Sequence, residues 1–150
     1  MKILVDADAC PVKDIILEVS RKYNMVVLFV CSISHYTNFY EINKIIPIYV
    51  DNVFQSADLA IINKAEKGDL VVTGDYGLAA MVLAKGAYAM SYNGKIFDNN
   101  TIDDLLDTRH QSMKLLRSGQ RIKGPKRRSK EDDERFLAAL ERIIRTNKKD

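Results

Sequence analysis

Continuous apolar runs separated by segments of helical periodicity predict a chain that alternates between buried strands and helices. Runs rich in Val, Ile and Leu are typical of strands buried on both faces of a parallel sheet. The predicted strands cover residues 2–6, 25–32, 44–51, 70–75, 87–91 and 96–97. Pro47 indicates an edge position for the third strand. The Asn93-Gly94 pair predicts a hairpin, so the last strand returns antiparallel at the edge of the sheet.

The segments between these strands carry apolar residues three and four positions apart, which is the spacing of an amphipathic helix. The predicted helices cover residues 12–23, 57–67, 76–85, 101–119 and 130–145. Consecutive strand, helix and strand units form right-handed crossovers between parallel strands. The pattern therefore predicts an α/β fold with three layers, α/β/α. It has a mainly parallel sheet of about five strands, an antiparallel hairpin at one edge and a helical, basic C-terminal region.

Three of the predicted helix starts carry capping signals. Gln55 or Ser56 is expected to cap the second helix, and Thr101 begins the fourth with an acidic variant of the capping box. Ser129 is expected to cap the last helix.

Charge divides the chain into two parts. Residues 1–108 hold 9 Lys and Arg against 14 Asp and Glu, whereas residues 109–150 hold 14 against 6. We predict an α/β domain over 1–118, and a basic linker with an amphipathic helix over 119–150, packed on the same domain. No apolar run reaches the roughly 18 residues of a membrane span. We therefore expect a cytoplasmic protein that does not bind membranes.

Carboxylates follow the predicted strands at the points where the strands end. Asp6 and Asp8 follow the first strand, Asp75 ends the fourth, and Asp58 lies in the turn that leads from the third strand into a helix. Because the carboxyl ends of parallel strands share one edge of a sheet, we expect these acids to converge on one pocket. Asp58 has an alternative role, since an acid in the first turn of a helix also stabilises the helix dipole.

Several carboxylates that share a pocket raise one another's pKa unless a cation neutralises them. Oxygen ligands favour Mg²⁺ or Mn²⁺ over zinc. Such ions activate water and bind phosphoryl oxygens, so the pattern favours hydrolysis of a phosphodiester. Cys10 and Cys31 lack the spacing of a thiolate metal site or a disulfide framework, and we expect both to pack as small hydrophobic residues.

Polar and basic residues near the same edge are candidate substrate contacts. They are Lys13, Ser34, His35, Thr73, Arg109, Lys126 and Arg127. Lys13 follows the acids by one helical turn and could neutralise a carboxylate or bind a phosphate. The basic residues between 109 and 128 are numerous enough for several phosphate contacts that depend steeply on salt. A solvated helix end and a flexible linker are the alternative interpretation of this basic segment.

Several segments carry a recognisable combination of residues. They are 6–13, 32–35, 57–58, 68–79, and Gly124-Pro125 with Asp133 and Phe136. The most specific are Asp-Ala-Asp-Ala-Cys-Pro-Val-Lys at 6–13 and Gly-Asp-Leu-Val-Val-Thr-Gly-Asp-Tyr-Gly-Leu-Ala at 68–79. Together they resemble the YaiI/YqxD family of bacterial proteins, over nearly the whole chain.

This resemblance implies a fold related to PIN and NYN domains, which are nucleases that gather acids around Mg²⁺ or Mn²⁺ at the carboxyl edge of a parallel sheet. It implies that the metal-binding and catalytic residues are Asp6, Asp8, Asp58 and Asp75. We expect RNA rather than DNA as the substrate. Two positions depart from the expected pattern. No clear further acid follows the fifth strand, where Asp98 is a candidate, and Gly74 stands where a larger polar residue is expected.

Two other functions stay open at the level of the sequence. An apolar run followed by Asp-x-Asp is also typical of haloacid-dehalogenase-type phosphatases, with Asp6 as nucleophile and Asp8 as general acid. That family has Thr or Val where Ala9 and Cys10 stand here, and Asp75 is not followed by the paired acid that it requires. The other alternative is a non-catalytic module that keeps the PIN-like scaffold and binds nucleic acid through its basic residues.

Overall fold

The computed structural model of the chain describes residues 1–34, 37–53, 55–107, 119 and 127–147. The strands within these ranges are β1 (Ile3–Asp6), β2 (Val27–Ser32), β3 (Ile48–Val50), β4 (Leu70–Val72), β5 (Tyr88–Met90) and β6 (Ile96–Phe97). The helices are α1 (Lys13–Lys22), α2 (Phe39–Ile42), α3 (Ser56–Lys64), α4 (Tyr76–Ala84), α5 (99–107) and α6 (Lys130–Asn147).

The strands form one six-stranded sheet in the order β3-β2-β1-β4-β5-β6. The first five strands in that order are parallel, and β6 pairs antiparallel with β5 through Ala89–Phe97 and Met90–Ile96. The strand β1 lies at the centre, where Val5 is in register with Phe29 of β2 on one side and with Val72 of β4 on the other. The predicted fold class, the edge position of β3 and the antiparallel hairpin are confirmed.

Hydrophobic side chains pack on both faces of the sheet and form two separate clusters. Alternate residues of β1 point to opposite faces, so Ile3 and Val5 pack with α1 and α6, whereas Leu4 packs with α3 and α4. Each such residue is fully buried, which stabilises the fold by about 1.5–3 kcal/mol per side chain. The central strand is therefore held rigidly from both sides, and so is the acid at its carboxyl end.

The C-terminal helix α6 belongs to the core of the same fold. Phe136, Leu140 and Ile144 are fully buried in the cluster that contains β1. At the start of the helix, the Ser129 amide donates to Asp132 Oδ2 over 2.8 Å, and the Asp132 amide donates to Ser129 Oγ over 3.4 Å. This reciprocal pair confirms the predicted cap. The predicted domain boundary at 118/119 and most of the basic linker lie outside the described residues.

Local packing changes several predicted boundaries. The short helix α2 was not predicted, and its aromatic rings lie edge-on against Phe29, at centroid distances of 5.8 Å for Phe39 and 5.7 Å for Tyr40. The third strand is limited to Ile48–Val50. The N-cap residue of α3 is Gln55, with φ of 66°, and its side chain makes no capping hydrogen bond.

The helix α5 begins two residues before the predicted start at Thr101. The reason is that Asp98 accepts hydrogen bonds from the Thr101 amide over 2.8 Å and the Thr101 hydroxyl over 2.9 Å. Asp98 is exposed and caps a helix, so it is not the further acid of the pocket that the sequence allowed for. Both cysteines are buried free thiols, as predicted. Among the described residues, every helix falls short of the length and apolarity that a membrane crossing needs.

Candidate active site

The predicted acids line a single cleft at the carboxyl edge of the parallel sheet. The cleft has a volume of about 600 Å³ and contains the four aspartates predicted as catalytic, together with Asp51. The described lining includes no Lys, Arg or His. Five carboxyl groups therefore line one cleft whose described wall contains no basic side chain, and the electrostatic potential of the cleft is negative.

Asp6 stands at the end of β1 and is held by Thr73, which follows β4. The Thr73 hydroxyl donates to Asp6 Oδ2 over 2.9 Å, and the Asp75 amide donates to Thr73 Oγ1 over 3.0 Å. The Thr73 side chain is fully buried. Burial raises the pKa of Asp6, the neighbouring Asp8 and Asp75 raise it further, and the Thr73 hydrogen bond opposes them. Thr73 thus links two of the acids and favours the ionised form of one.

Asp75 is the N-cap of α4. Its Oδ1 accepts hydrogen bonds from the amides of Gly77 over 2.8 Å and of Leu78 over 3.2 Å. These are two of the amides that a helix start leaves without a main-chain partner. The position of this carboxylate is fixed by the helix that it begins, which lies over the cleft. The same contact adds the positive end of the helix dipole to an otherwise negative pocket.

Asp58 lies in the first turn of α3, and its carboxyl group is close to Asp75. Burial raises the pKa of Asp58 to about 6, and the negative charges of Asp75 and Asp6 contribute to the increase. When protonated, the Asp58 carboxyl is placed to hydrogen-bond Asp75. Without a cation, the cleft therefore disfavours the ionised form of Asp58.

Asp8 connects the loop after β1 to the end of β2. Its Oδ1 accepts a hydrogen bond from the Ser32 amide over 2.8 Å. Only Ala7 separates Asp8 from Asp6, and both aspartates line the cleft. The structure therefore brings together all four acids predicted from the sequence, from the carboxyl ends of β1, β3 and β4.

The donor chemistry of the cleft fits Mg²⁺ or Mn²⁺, which prefer carboxylate oxygens. Asp6 binds Thr73 through Oδ2 and Asp75 binds α4 through Oδ1, so each has a second oxygen as a potential ligand. Within the described part of the chain, no group of three or more His, Cys, Asp or Glu side chains is arranged to hold an ion as it stands. Binding of an ion would therefore require the carboxylates to move closer together.

The predicted substrate contacts are placed in different ways. Ser34 lines the cleft, and its amide donates to Asn52 Oδ1 over 3.2 Å. Lys13 Nζ donates to the Cys10 carbonyl over 3.2 Å, so it binds the main chain of the loop that follows Asp8. Thr73 is too deeply buried to touch a large substrate, and its role in the structure is to position acids. Arg127 is exposed just before α6. Three predicted contacts lie outside the described residues: His35, Arg109 and Lys126.

Tyr92, which the sequence analysis did not select, supports the site from the hairpin between β5 and β6. The Tyr92 hydroxyl donates to the Asp6 carbonyl over 2.6 Å, and Arg128 Nη2 donates to the Tyr92 carbonyl over 2.8 Å. A Cβ atom on Gly74 would lie 3.0 Å from the Tyr92 ring. This close approach explains why glycine replaces the larger residue expected before Asp75. The unexpected glycine at position 74 was therefore the feature of the sequence that indicated a close contact, which Tyr92 makes.

Comparisons with known proteins agree over almost the full length of the chain. A protein called UPF0178 from Alkaliphilus metalliredigens is 44% identical over 144 residues, covering 96% of this chain and 92% of the relative. The UPF0178 protein of Clostridium tetani is 46% identical over 151 residues, covering 99% of this chain and 100% of the relative.

Among solved structures, the crystal structure of a mutant of Rae1 (YacP) from Bacillus subtilis aligns with a TM-score of 0.43 and 14% identity. The alignment covers 97% of this chain and 92% of that one. The profile of the family described as "Uncharacterized BCR, YaiI/YqxD family" matches residues 4–146. The chain therefore belongs to the YaiI/YqxD family.

Proposed function

We propose that this protein is a nuclease that depends on Mg²⁺ or Mn²⁺ and hydrolyses phosphodiester bonds in RNA. The observation that carries the proposal is the convergence of carboxylates from the ends of three parallel strands on one cleft that has no basic residue in its described lining. Such a cleft repels a phosphodiester unless a cation is bound in it. A divalent cation would reverse that effect and supply the chemistry.

The residues proposed to hold the ion are Asp6, Asp8, Asp58 and Asp75. When bound, the ion would activate water and stabilise charge on the phosphoryl oxygens. Thr73 orients Asp6 and favours its ionised form, and the start of α4 fixes the Asp75 carboxylate. The pKa of Asp58 is raised to about 6 in the metal-free cleft, and a bound cation would favour the ionised form that serves as a ligand.

The basic residues supply the attraction for nucleic acid that the acid cleft lacks. Arg128 is attached to the site itself, because it binds the Tyr92 carbonyl and also donates to Asp133 Oδ1 over 2.8 Å. Arg127, its exposed neighbour, is a proposed phosphate contact. Arg128 and its neighbour Arg127 are therefore held beside the hairpin that supports Asp6, where phosphate contacts would position a strand over the cleft.

The test of this proposal is a calorimetric titration with Mn²⁺ of the wild type and of Asp6→Asn and Asp75→Asn. We expect binding in the wild type and a loss of at least tenfold in affinity in both variants. Asp51→Asn is the matched control, because Asp51 lines the same cleft but is exposed and is not a proposed ligand. Circular dichroism checks that each variant is folded.

The second part of the test is cleavage of a labelled single-stranded RNA with and without Mn²⁺. We expect cleavage by the wild type and by Asp51→Asn only when Mn²⁺ is present. Absence of Mn²⁺ binding in the wild type, or equal binding in all variants, would contradict the proposed metal site. RNA cleavage that persists in EDTA would contradict metal dependence.

A non-catalytic nucleic-acid-binding module is the second candidate function. The observation in its favour is that Arg128 hydrogen-bonds the Tyr92 carbonyl and has the exposed Arg127 beside it, so two basic side chains lie next to the hairpin that supports Asp6. RNA binding that is unchanged in Asp75→Asn, with no turnover in the wild type, would support this module. The phosphatase hypothesis stays a prediction, which trapping of an aspartyl phosphate analogue on Asp6 would test.

A further inference from the structure

A second cleft opens on the other side of Asp6 and Asp75. It has a volume of about 480 Å³ and is lined by Asp6, Ala9, Gly74, Asp75, Tyr76 and Tyr92. Of the described lining residues, only Asp6 and Asp75 belong to both clefts. A ligand that spans the two clefts would therefore pass directly over these two carboxylates.

The lining of the second cleft suits a flat aromatic ring. Two tyrosines contribute to its walls, and Ala9 is small enough for a ring to approach the main chain. The described lining contains no Lys or Arg, so this cleft lacks the side chains that bind phosphate. Proteins that bind single-stranded nucleic acid stack its bases on aromatic side chains, while basic residues elsewhere contact the phosphates.

Both tyrosines are held in place before any ligand binds. Tyr92 is fixed by its hydroxyl, by its carbonyl and by the close approach of Gly74. The Tyr76 ring packs edge-on against Phe97, with centroids 5.7 Å apart and an interplanar angle of 71°. Rigid walls reduce the entropy that is lost when a ligand binds. The cleft is therefore preorganised for one ring.

We propose that the second cleft, formed by Tyr76 and Tyr92, binds the nucleobase next to the scissile phosphate of a single-stranded nucleic acid. This inference rests on the proposed function, because the phosphate is placed over the carboxylates shared by the two clefts. A base in a duplex is stacked and paired, so it cannot enter the cleft without leaving the helix. The protein then acts on unpaired segments and ends, and duplexes are poor substrates.

The test measures binding of a fluorescent ten-nucleotide single-stranded RNA by anisotropy, with Ca²⁺ present to neutralise the carboxylates. A set of otherwise identical RNAs, each with one abasic position, identifies the base that stacks. We expect Tyr76→Leu to weaken binding by about tenfold or more, since one stacked base contributes that much. Tyr76→Phe keeps the ring and should bind within about twofold of the wild type.

One abasic position should weaken binding to the wild type by about as much as Tyr76→Leu does. Tyr76→Leu should bind this abasic RNA no more weakly than it binds the intact RNA, because the side chain on which the base stacks is already missing. Tyr88→Leu is the matched control. Tyr88 is a partly exposed tyrosine that hydrogen-bonds Asn147 and does not line the cleft. An unchanged Mn²⁺ titration shows that Tyr76→Leu keeps the acid cleft intact.

The outcomes separate this inference from the proposed function. One outcome is that the wild type cleaves RNA while Tyr76→Leu binds RNA as tightly as the wild type. Another is that the loss of affinity in Tyr76→Leu adds to the loss caused by every abasic position. Either result would contradict the base-binding cleft and leave the proposed nuclease function intact. If the coupling between Tyr76 and one base is seen without any cleavage, the cleft is supported and the hydrolytic function is wrong. If the wild type binds no single-stranded RNA at all, both are overturned.

Discussion

Removing the charge of Asp58 is expected to stabilise the metal-free protein while it abolishes metal binding. The carboxyl group of Asp58 is partly buried beside Asp75 and Asp6, which disfavours its ionised form. In Asp58→Asn this repulsion is gone at every pH. The variant therefore separates two effects of the Asp58 charge, which lowers the stability of the metal-free protein and is proposed to bind the metal ion.

The magnitude follows from the pKa of Asp58, which is raised from 3.8 to about 6. Each pKa unit corresponds to about 1.4 kcal/mol, so the full shift amounts to about 3 kcal/mol. Solvent screens this partly exposed group, and we expect about 1–2 kcal/mol of it to be measurable. Because the folded-state pKa lies above the unfolded value, the stabilising contribution is complete below about pH 4 and is lost as the pH rises through 6.

The assay is urea denaturation of the wild type and Asp58→Asn in EDTA at pH 4 and pH 8. At pH 8 the variant should be more stable by about 1–2 kcal/mol, which corresponds to roughly 2–8 °C in Tm for a chain of this size. At pH 4 the two proteins should agree within about 0.5 kcal/mol. Asp51→Asn, on the exposed rim of the cleft, should show no such dependence on pH.

A variant less stable than the wild type at pH 8, or a difference that is the same at both pH values, would refute this reasoning. Adding Mn²⁺ gives a second measurement, in which the wild type rather than Asp58→Asn should gain stability. At 100 times the dissociation constant, a ligand that binds only the folded state stabilises it by about 2.7 kcal/mol. Mn²⁺ should therefore stabilise the wild type and leave Asp58→Asn unchanged.

Two further substitutions test contacts on opposite edges of the sheet. Thr73→Val removes the hydrogen bond that favours ionised Asp6, so Mn²⁺ affinity should fall about tenfold. Calorimetry should show a larger loss at pH 6 than at pH 8, with Thr73→Ser as the control that keeps the hydroxyl. Burial opposes ionisation of Asp69, but hydrogen bonds from the Lys2 side chain and amide and from the Glu66 amide outweigh it and lower its pKa. Asp69→Asn should therefore destabilise the protein by about 2–4 kcal/mol at pH 7, measured by urea denaturation. That difference should shrink as the pH falls below 3.8 and disappear as the pH passes through the lower pKa of Asp69 in the folded protein.

The sheet was predictable because a parallel strand that is buried on both faces has a continuous apolar sequence. Runs such as Leu70–Val72 are apolar at every position, and the acid that follows marks the edge where the strand ends. Helix α2 has no such pattern, because Phe39 and Tyr40 are held in it by packing against the Phe29 ring on β2. The start of α5 was misplaced for a related reason, since both Asp98 and Thr101 are capable of capping a helix.

The four acids of the candidate site were predictable because topology alone brings the ends of parallel strands together. The groups that position them were not. Thr73 was expected to contact substrate, and only the structure shows its hydroxyl turned inward to Asp6. Tyr92 reaches the same residue across a sequence separation of 86, from a hairpin that was predicted without this contact. Contacts of this kind depend on side-chain direction across strands, which hydrophobic periodicity does not encode.

The packing of α6 on β1 also affects the order in which the protein folds. Ile3 and Val5 share a cluster with Phe136, Leu140 and Ile144, so the two ends of the described chain complete one core. During synthesis β1 leaves the ribosome well before the helix that covers it. Closing such a distant contact is slow compared with the formation of a local helix. The cluster that buries the strand carrying Asp6 is therefore complete only after α6 has packed against it.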